Sequence, residues 1–344
     1  MSLNPCAFFV GVLLSMPLVV SGAVEPFVVT HEAMGTEFEF RLYPSERVDV
    51  ESLPDLARMV FDAIDDLESR ISSWNPDSQT SYLNSTAASR SVRVSNDLFQ
   101  LIRVSAEIYE ETHGAFDPTI GPLLELWAPQ TGHPQRPISA AIDEVLTRVG
   151  MNHIELDAAS NAIRFRVRGV QLDFGGIGKG LALDQARDTL IGHGIASALL
   201  SAGTSTVVAI GAPPGKAGWT VHVRHPYNSG QQLATVVLSD ESLSTSACHA
   251  LPETREEFPC DILDPRTGMP VTANHSATVV TASATRADAL STAFLVMGVE
   301  ATRAYCAQRP GVRAFIATGS TVLTLRVDHI PGSTKIGDSN DRPE

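Results

Sequence analysis

The sequence has no C-x-x-C pair, no excess of basic charge, no internal repeat and no low-complexity linker. Each gap removes a class of protein. Its four cysteines, Cys6, Cys248, Cys260 and Cys306, stand at spacings unsuited to a zinc site. With 25 basic against 39 acidic side chains, the net charge of -14 repels a polyphosphate backbone, so nucleic acid is not an expected partner. A small polyanion stays admissible where backbone N–H groups, a few Lys or Arg and a divalent cation gather locally. Long hydrophobic runs are scarce too. The apolar stretch from Cys6 to Val20 is shorter than the roughly 20 residues of a membrane span, and Pro17 interrupts it.

Ser21, Gly22 and Ala23 follow that stretch with the small-residue spacing that signal peptidase accepts, ahead of a polar segment from Glu25. Residues 1–23 are read as a secretory signal, although no Lys or Arg precedes the apolar run. A retained anchor is the alternative. No Cys stands just after the run for lipid attachment. The mature chain is therefore expected to be exported, in a periplasmic or other extracytoplasmic location, and membrane-associated if the N-terminal segment is retained. Removing 1–23 also removes Cys6. In an oxidising compartment Cys248 and Cys260 can close a disulfide across a short loop, or remain as free thiols.

What is present suits a sizeable core: 344 residues, 43% hydrophobic and 19% charged. Strands are predicted from Phe27 to Glu32 and Thr36 to Tyr43, joined near Gly35. A helix is predicted through Leu53, Leu56, Val60, Ile64, Leu67 and Ile71. Another runs from Asn96 to His113, with Ser95 as N-cap and Gly114 as its stop, and a short one from Ser139 to Val149. A hairpin pairs His153 to Asp157 with Ala162 to Val167. A strand from Val170 to Phe174 then runs into a glycine-rich turn and a helix from Lys179 to His193. The second half supplies strands at 198–200, 206–210, 219–225, 233–238, 277–281, 313–317 and 322–327, with a helix from Arg286 to Met297. The class is α+β, as one unit over 24–328. The polar stretch 329–344 reads as a disordered tail.

Asp173 ends the predicted strand before Gly175, Gly176, Gly178, Lys179 and Gly180. Such a turn brings backbone close to an anion, offers helix N-terminal N–H groups and adds the Lys179 charge. It is also simply a tight turn. Gly180 stands where a Walker A loop needs Ser or Thr, and the strand from Ala198 to Ala202 lacks the ribose-binding acid of a Rossmann unit. Asp288 and Thr292 lie one helical turn apart, so two hard oxygens face one point, as Mg²⁺ favours. Taken alone, that pair is equally a dipole-compensating acid and a packed hydroxyl. Asp264-Pro265-Arg266-Thr267-Gly268 is a turn signature, Ala115 to Pro122 reads as a corner between helices, and Ser72 to Asn84 as a polar surface loop.

The order of these blocks carries more than any one of them. M-G-T at Met34, S-x-W-x-P-x-S-x-x-S-x-L-N from Ser72, and A-F-D-P-T-I-G-P-L from Ala115 come first. D-F-G-G-I-G-K-G from Asp173, T-S at Thr245, D-P-R-T-G from Asp264 and A-D-A-L-S-T-A from Ala287 follow. Together, from about Val29 to Val327, they resemble the FAD:protein FMN transferases, the ApbE-type flavin transferases.

The resemblance implies two interwoven lobes of mixed or antiparallel sheet with packed helices, a T-fold-like arrangement, with FAD in the cleft between them. It implies Mg²⁺-dependent transfer of FMN from FAD, releasing AMP, to a Ser or Thr hydroxyl of an exported or membrane redox protein. Met34, Trp74, Ala115, Phe116, Asp117, Asp173 and Lys179 resemble FAD-contacting positions, and Ile262 is read with them. The Gly176 carbonyl, Asp288 and Thr292 resemble the metal ligands.

Three departures affect the acceptor side. Where the family commonly has a His before D-P-R-T-G, this chain has Asp261, which is read here as the base although a carboxylate is intrinsically weaker than an imidazole. Ala247 follows T-S in place of the usual Gly, and Ala202-Gly203-Thr204 replace Gly-Gly-acid. An FAD pyrophosphatase on the same scaffold is the nearest alternative, and a non-catalytic flavin-binding protein the next.

Overall fold

A computed structural model describes residues 25–127, 136–226, 231–248, 260–272, 274–319 and 326–331. The expected signal segment 1–23 and the residues after 331 lie outside these. In chain order the strands are β1 (Phe27–Ala33), β2 (Thr36–Leu42), β3 (Val92–Arg93), β4 (Ile154–Asp157), β5 (Ala162–Phe165), β6 (Ala198–Ala202), β7 (Thr206–Ile210), β8 (Trp219–Arg224), β9 (Gln232–Leu238), β10 (Ser242–Ala247), β11 (Leu263–Asp264), β12 (Met269–Pro270), β13 (Asn274–Thr281), β14 (Arg313–Thr318) and β15 (Arg326–Ile330). The α-helices are α1 (Leu53–Ile71), α2 (Gln79–Thr86), α3 (Asn96–Glu111), α4 (Gly121–Trp127), α5 (Ser139–Leu146), α6 (Gly178–Gly192) and α7 (Ala284–Ala307).

Eight strands form one antiparallel sheet in the order β1-β2-β6-β7-β10-β13-β14-β15. Side chains alternate across a strand, and the sequence uses both faces. On one side Ala277, Val279, Ala314 and Ile316 join the main core with α1, α3, α6 and α7. On the other, Ala209, Leu243, Val280 and Phe315 pack beneath the β8–β9 hairpin through Trp219, Val223, Val236 and Leu238. A third, smaller cluster of Leu123, Trp127, Ile142, Val145 and Leu263 sits under α4 and α5. The α+β class is as expected, with one large antiparallel sheet and helices.

Helices α6 and α7 cross at very short range. A Cβ on Gly180 would fall 2.2 Å from the Ala284 carbonyl oxygen, so glycine is what lets the two backbones meet. The Asp184 carboxylate of α6 then caps α7 from outside, accepting from the Ala284 and Thr285 N–H groups at 2.9 Å each and from the Ser283 and Thr285 hydroxyls at 2.7 Å each. This fixes the first turn of α7, directly before Asp288.

Several elements differ from the sequence reading. Val170 to Phe174 is not a strand; it makes one parallel bridge, Gln171 to Ile120. Asn84 holds it, accepting from the Leu172 N–H at 2.8 Å and donating to the Leu172 carbonyl at 3.0 Å, in place of a neighbouring strand. Within the expected polar loop from Ser72, Ser78 caps a helix, α2. β10 went unread because S-L-S-T-S-A carries little β-branched signal. α7 resumes beyond Met297 after a break at Gly298 (φ 77°), and β15 continues through His329 and Ile330, which the sequence reading had placed in the tail. Part of the strand expected at 322–327 lies outside the described residues. Ser95 caps α3, and Gly114 lies just beyond its end with φ 78°. No helix among the described residues is long and apolar enough to cross a membrane.

Candidate active site

The turn from Asp173 to Gly178 forms a ridge between two adjoining cavities. One, of about 370 Å³, is lined by Ala115, Phe116, Asp117, Asp173, Gly176, Lys179, Asp261, Ile262, Asp288 and Thr292, with Thr245, Ser246 and Ala247 at its edge. The other, of about 410 Å³, is lined by Met34, Glu68, Ser73, Trp74, Asp173 and Lys179. Every site residue expected from the sequence therefore lines one cavity or the other, and Asp173 and Lys179 line both.

The ridge is built by local hydrogen bonds. Asp173 Oδ1 accepts from the Gly175 N–H at 2.9 Å, and Oδ2 accepts from the Ser73 hydroxyl at 2.5 Å, tying the Trp74 loop to the glycine turn. The Ile177 and Gly178 N–H groups both donate to the Phe174 carbonyl, and the Gly180 N–H donates to Asp288. The Gly175, Ile177, Gly178 and Gly180 N–H groups are thus engaged within the protein. Lys179 remains as the local cation, its Nζ 3.3 Å from the Gly175 carbonyl.

Met34 and Gly35 turn β1 into β2 with φ of 51° and 69°, as a primed hairpin turn requires. A non-glycine residue there is strained, and Glu68 holds it by accepting from the Met34 N–H at 2.7 Å. Trp74, 74% exposed, leaves its indole face open at the mouth of the second cavity. Asp117 is buried, its Oδ1 accepting from the Thr119 N–H and hydroxyl at 2.8 and 2.6 Å. Burial pushes its carboxyl up to about 6, against a smaller opposing effect of those two hydrogen bonds.

Asp288 and Thr292 of α7 line the first cavity together with Gly176; a Cβ on Gly176 would lie 3.4 Å from Thr292 Oγ1 and 3.5 Å from the Phe116 ring. The buried Asp288 carboxylate accepts from the Gly180 N–H at 3.0 Å through Oδ2, and from the Thr206 and Ser244 hydroxyls at 3.3 and 3.2 Å through Oδ1. All three donors are neutral. A buried carboxylate with neutral partners beside a carbonyl-bearing glycine and a hydroxyl is an all-oxygen set that fits a hard divalent cation. Among the described residues, no three His, Cys, Asp or Glu side chains converge as a metal cluster, so waters or substrate phosphates would complete the shell.

Thr206, Ser244 and Ser246 are site residues that sequence reasoning missed or left as part of a dipeptide. Ser246 Oγ lies 3.0 Å from Thr292 Oγ1 and 2.7 Å from Ser291 Oγ. A signal existed: hydroxyls recur at 242, 244 and 246, the alternate positions of a buried strand face. Asp261 is exposed beside this row. The disulfide Cys248–Cys260 joins the end of β10 to Asp261, the next residue, so the open question of pairing resolves as a bond between two walls of the first cavity.

The D-P-R-T-G turn forms as its sequence requires. Gly268 has φ 67°, its N–H donates to the Asp264 carbonyl at 2.8 Å, and Arg266 pairs with both Asp264 oxygens at 2.8 Å. Trp127 Nε1 donates to the Gly268 carbonyl at 2.8 Å.

The same architecture occurs in solved structures. The apo Pseudomonas stutzeri flavinyl transferase ApbE matches with a TM-score of 0.77 at 25% identity, over 89% of this chain and 95% of that one. The ApbE protein of Thermotoga maritima matches with a TM-score of 0.77 at 26% identity, over 89% and 97%. Fold and site thus define the class of ApbE-like flavin transferases. The ApbE family model matches residues 34–316, and the chain belongs to that family. A Treponema pallidum relative named FAD:protein FMN transferase is 32% identical over 74% of this chain and 75% of its own length.

Proposed function

We propose that this protein is an exported, Mg²⁺-dependent enzyme that transfers FMN from FAD to a Ser or Thr hydroxyl of an acceptor protein. The observation that carries this reading is the convergence of Gly176, Asp288 and Thr292 on one cavity that also contains Lys179 and Asp261. Family membership and the relatives' names support the flavin chemistry. An exported or membrane redox protein is the acceptor class we propose, in keeping with the signal-like N-terminus.

Bound by the Gly176 carbonyl, Asp288 and Thr292, a magnesium ion would supply charge neutralisation and Lewis-acid polarisation at the pyrophosphate. Lys179 adds a cation at the ridge between the cavities, where it can face the phosphates of an FAD spanning both. Trp74, Met34 and Phe116 offer apolar surfaces for the two ring systems, and Asp117, Asp173 and Ile262 complete the walls. Asp261 accepts the proton of the acceptor hydroxyl as the hydroxyl oxygen bonds to the FMN phosphorus. The P–O bond to AMP breaks, and AMP departs with that electron pair.

Water in place of the protein hydroxyl gives an FAD pyrophosphatase, a reading supported by the exposure of Asp261. Incubation with FAD, Mg²⁺ and an exported flavoprotein acceptor separates the two. AMP with FMN-modified acceptor supports transfer, and AMP with only free FMN overturns it in favour of hydrolysis.

A further inference from the structure

Thr206 and Ser244 face each other across the β7–β10 pair, in direct register. Both are fully buried, both lie within 3.3 Å of Asp288 Oδ1, and their oxygens are 3.0 Å apart. They stand on the buried sheet face that also carries Ser242, Ser246, Ala277 and Val279. Two hydroxyls on such a face require a polar partner, and Asp288 is the one they share.

Proton counting sharpens the relationship. Three contacts link the two hydroxyls and one carboxylate oxygen, but the hydroxyls carry only two protons. Each hydroxyl can donate to Oδ1 directly, or one can donate to the other, which donates to Oδ1; Thr206 Oγ1 also lies 3.4 Å from the Ser205 hydroxyl, the longest of its contacts. With Thr206 accepting from Ser205, Oδ1 keeps at least one donor in either arrangement. Gly180 fixes Oδ2 from the opposite side through its N–H. The carboxylate is thereby held between a helix backbone and the sheet.

We infer that Thr206 and Ser244 are a redundant pair of positioning residues that set the affinity of the Asp288 site for its divalent cation. The inference rests on the proposed metal role of Asp288 and extends it to residues of the sheet. Outer-shell partners of a metal-bound carboxylate orient it, and their loss typically weakens metal binding by about 10- to 100-fold. Because either hydroxyl can serve Oδ1 alone, the two losses combine synergistically. Thr206→Val or Ser244→Ala weakens binding only about two- to fivefold, whereas the pair together reaches the full effect.

The test is titration of the full mature chain with Mn²⁺, followed by loss of the free-ion EPR signal, alongside the Mg²⁺ dependence of AMP release from FAD. In the double variant, both half-saturating concentrations are expected to rise about 10- to 100-fold. Thr206→Ser and Ser244→Thr, which keep the hydroxyls, are expected to retain parental Mn²⁺ affinity. A melting point lowered without any change in Mn²⁺ affinity would overturn the inference, since that is the mark of a purely structural pair. Strictly additive single losses would overturn the redundancy. If the double variant does not fold, the single variants carry the test, and unchanged Mn²⁺ affinity in both overturns the pair. Asp288→Ala separates the two levels: parental Mn²⁺ binding in that variant removes the metal site itself, whereas loss there with an unaffected double variant removes only the pair.

Discussion

The Gly180 N–H donates to Asp288 Oδ2 at 3.0 Å, linking the first turn of α6 to the start of the second turn of α7 across 108 residues of sequence. The contact depends on the absence of a side chain at 180, where a Cβ would meet the Ala284 carbonyl oxygen and carbon at 2.2 and 2.6 Å. Gly180→Ala is therefore expected to force the helices apart and to destabilise the protein by about 3 kcal/mol. Thermal melting checks this, with the Mg²⁺ dependence of AMP release expected to worsen as Asp288 is displaced. A melting point unchanged from the parent would contradict the close-approach role.

How much of this was legible in the sequence differs element by element. Asp288 and Thr292 were readable because helical spacing alone places residues four apart on one face. The long amphipathic α1 was readable for the same reason. The role of Gly180 was not, because what excludes a side chain there is a helix more than 100 residues away. Nor could local pattern show that Val170 to Phe174 lacks a strand partner, since Asn84 of α2 and the Pro118 carbonyl supply its hydrogen bonds from distant segments. In the glycine turn the Gly175, Ile177 and Gly178 N–H groups donate to neighbouring residues, and only the Gly180 donor depends on a distant partner, Asp288. Ser244 and Thr206 are ordinary strand residues until register sets them side by side beneath α7.

Asp117 gives a pH dependence with a definite sign. Burial raises its folded-state carboxyl to about 6 from an ordinary 3.8, so the folded protein binds more protons than the unfolded chain between those values. Stability from this group is complete below the lower value and is lost as pH rises through the upper one. Asp117→Asn removes the titrating carboxyl and retains an oxygen to accept from Thr119. Relative to the variant, the unliganded parent is expected to lose about 2–3 kcal/mol between pH 4 and pH 7. Melting curves of both proteins across that range provide the check, and parallel curves would contradict the assignment.

The Cys248–Cys260 disulfide has a chemical and an energetic consequence. Among the described residues the free cysteine is Cys306, buried, its thiol pushed up to about 11 by that burial. Alkylation of the folded protein from Val24 onward should label no cysteine, whereas reduction beforehand should expose Cys248 and Cys260. Cys248→Ser/Cys260→Ser is expected to cost about 3 kcal/mol in the loop-entropy account. Because the bond ties the end of β10 to the segment bearing Asp261, AMP release should also fall in that variant. Labelling of Cys248 or Cys260 without reductant would show that the bond is not formed.

Asp288 and its neighbours are proposed to support metal-dependent movement of FMN onto a protein. The most direct test of this proposal is the intact mass of an exported flavoprotein acceptor after incubation with this protein, FAD and Mg²⁺, beside the same reaction with Asp288→Ala. The expected result is a stoichiometric gain of one FMN phosphoester, accompanied by AMP, that disappears on chelation and falls at least about 100-fold in the variant. An acceptor modified equally well by Asp288→Ala, or modified without a divalent cation, would contradict it.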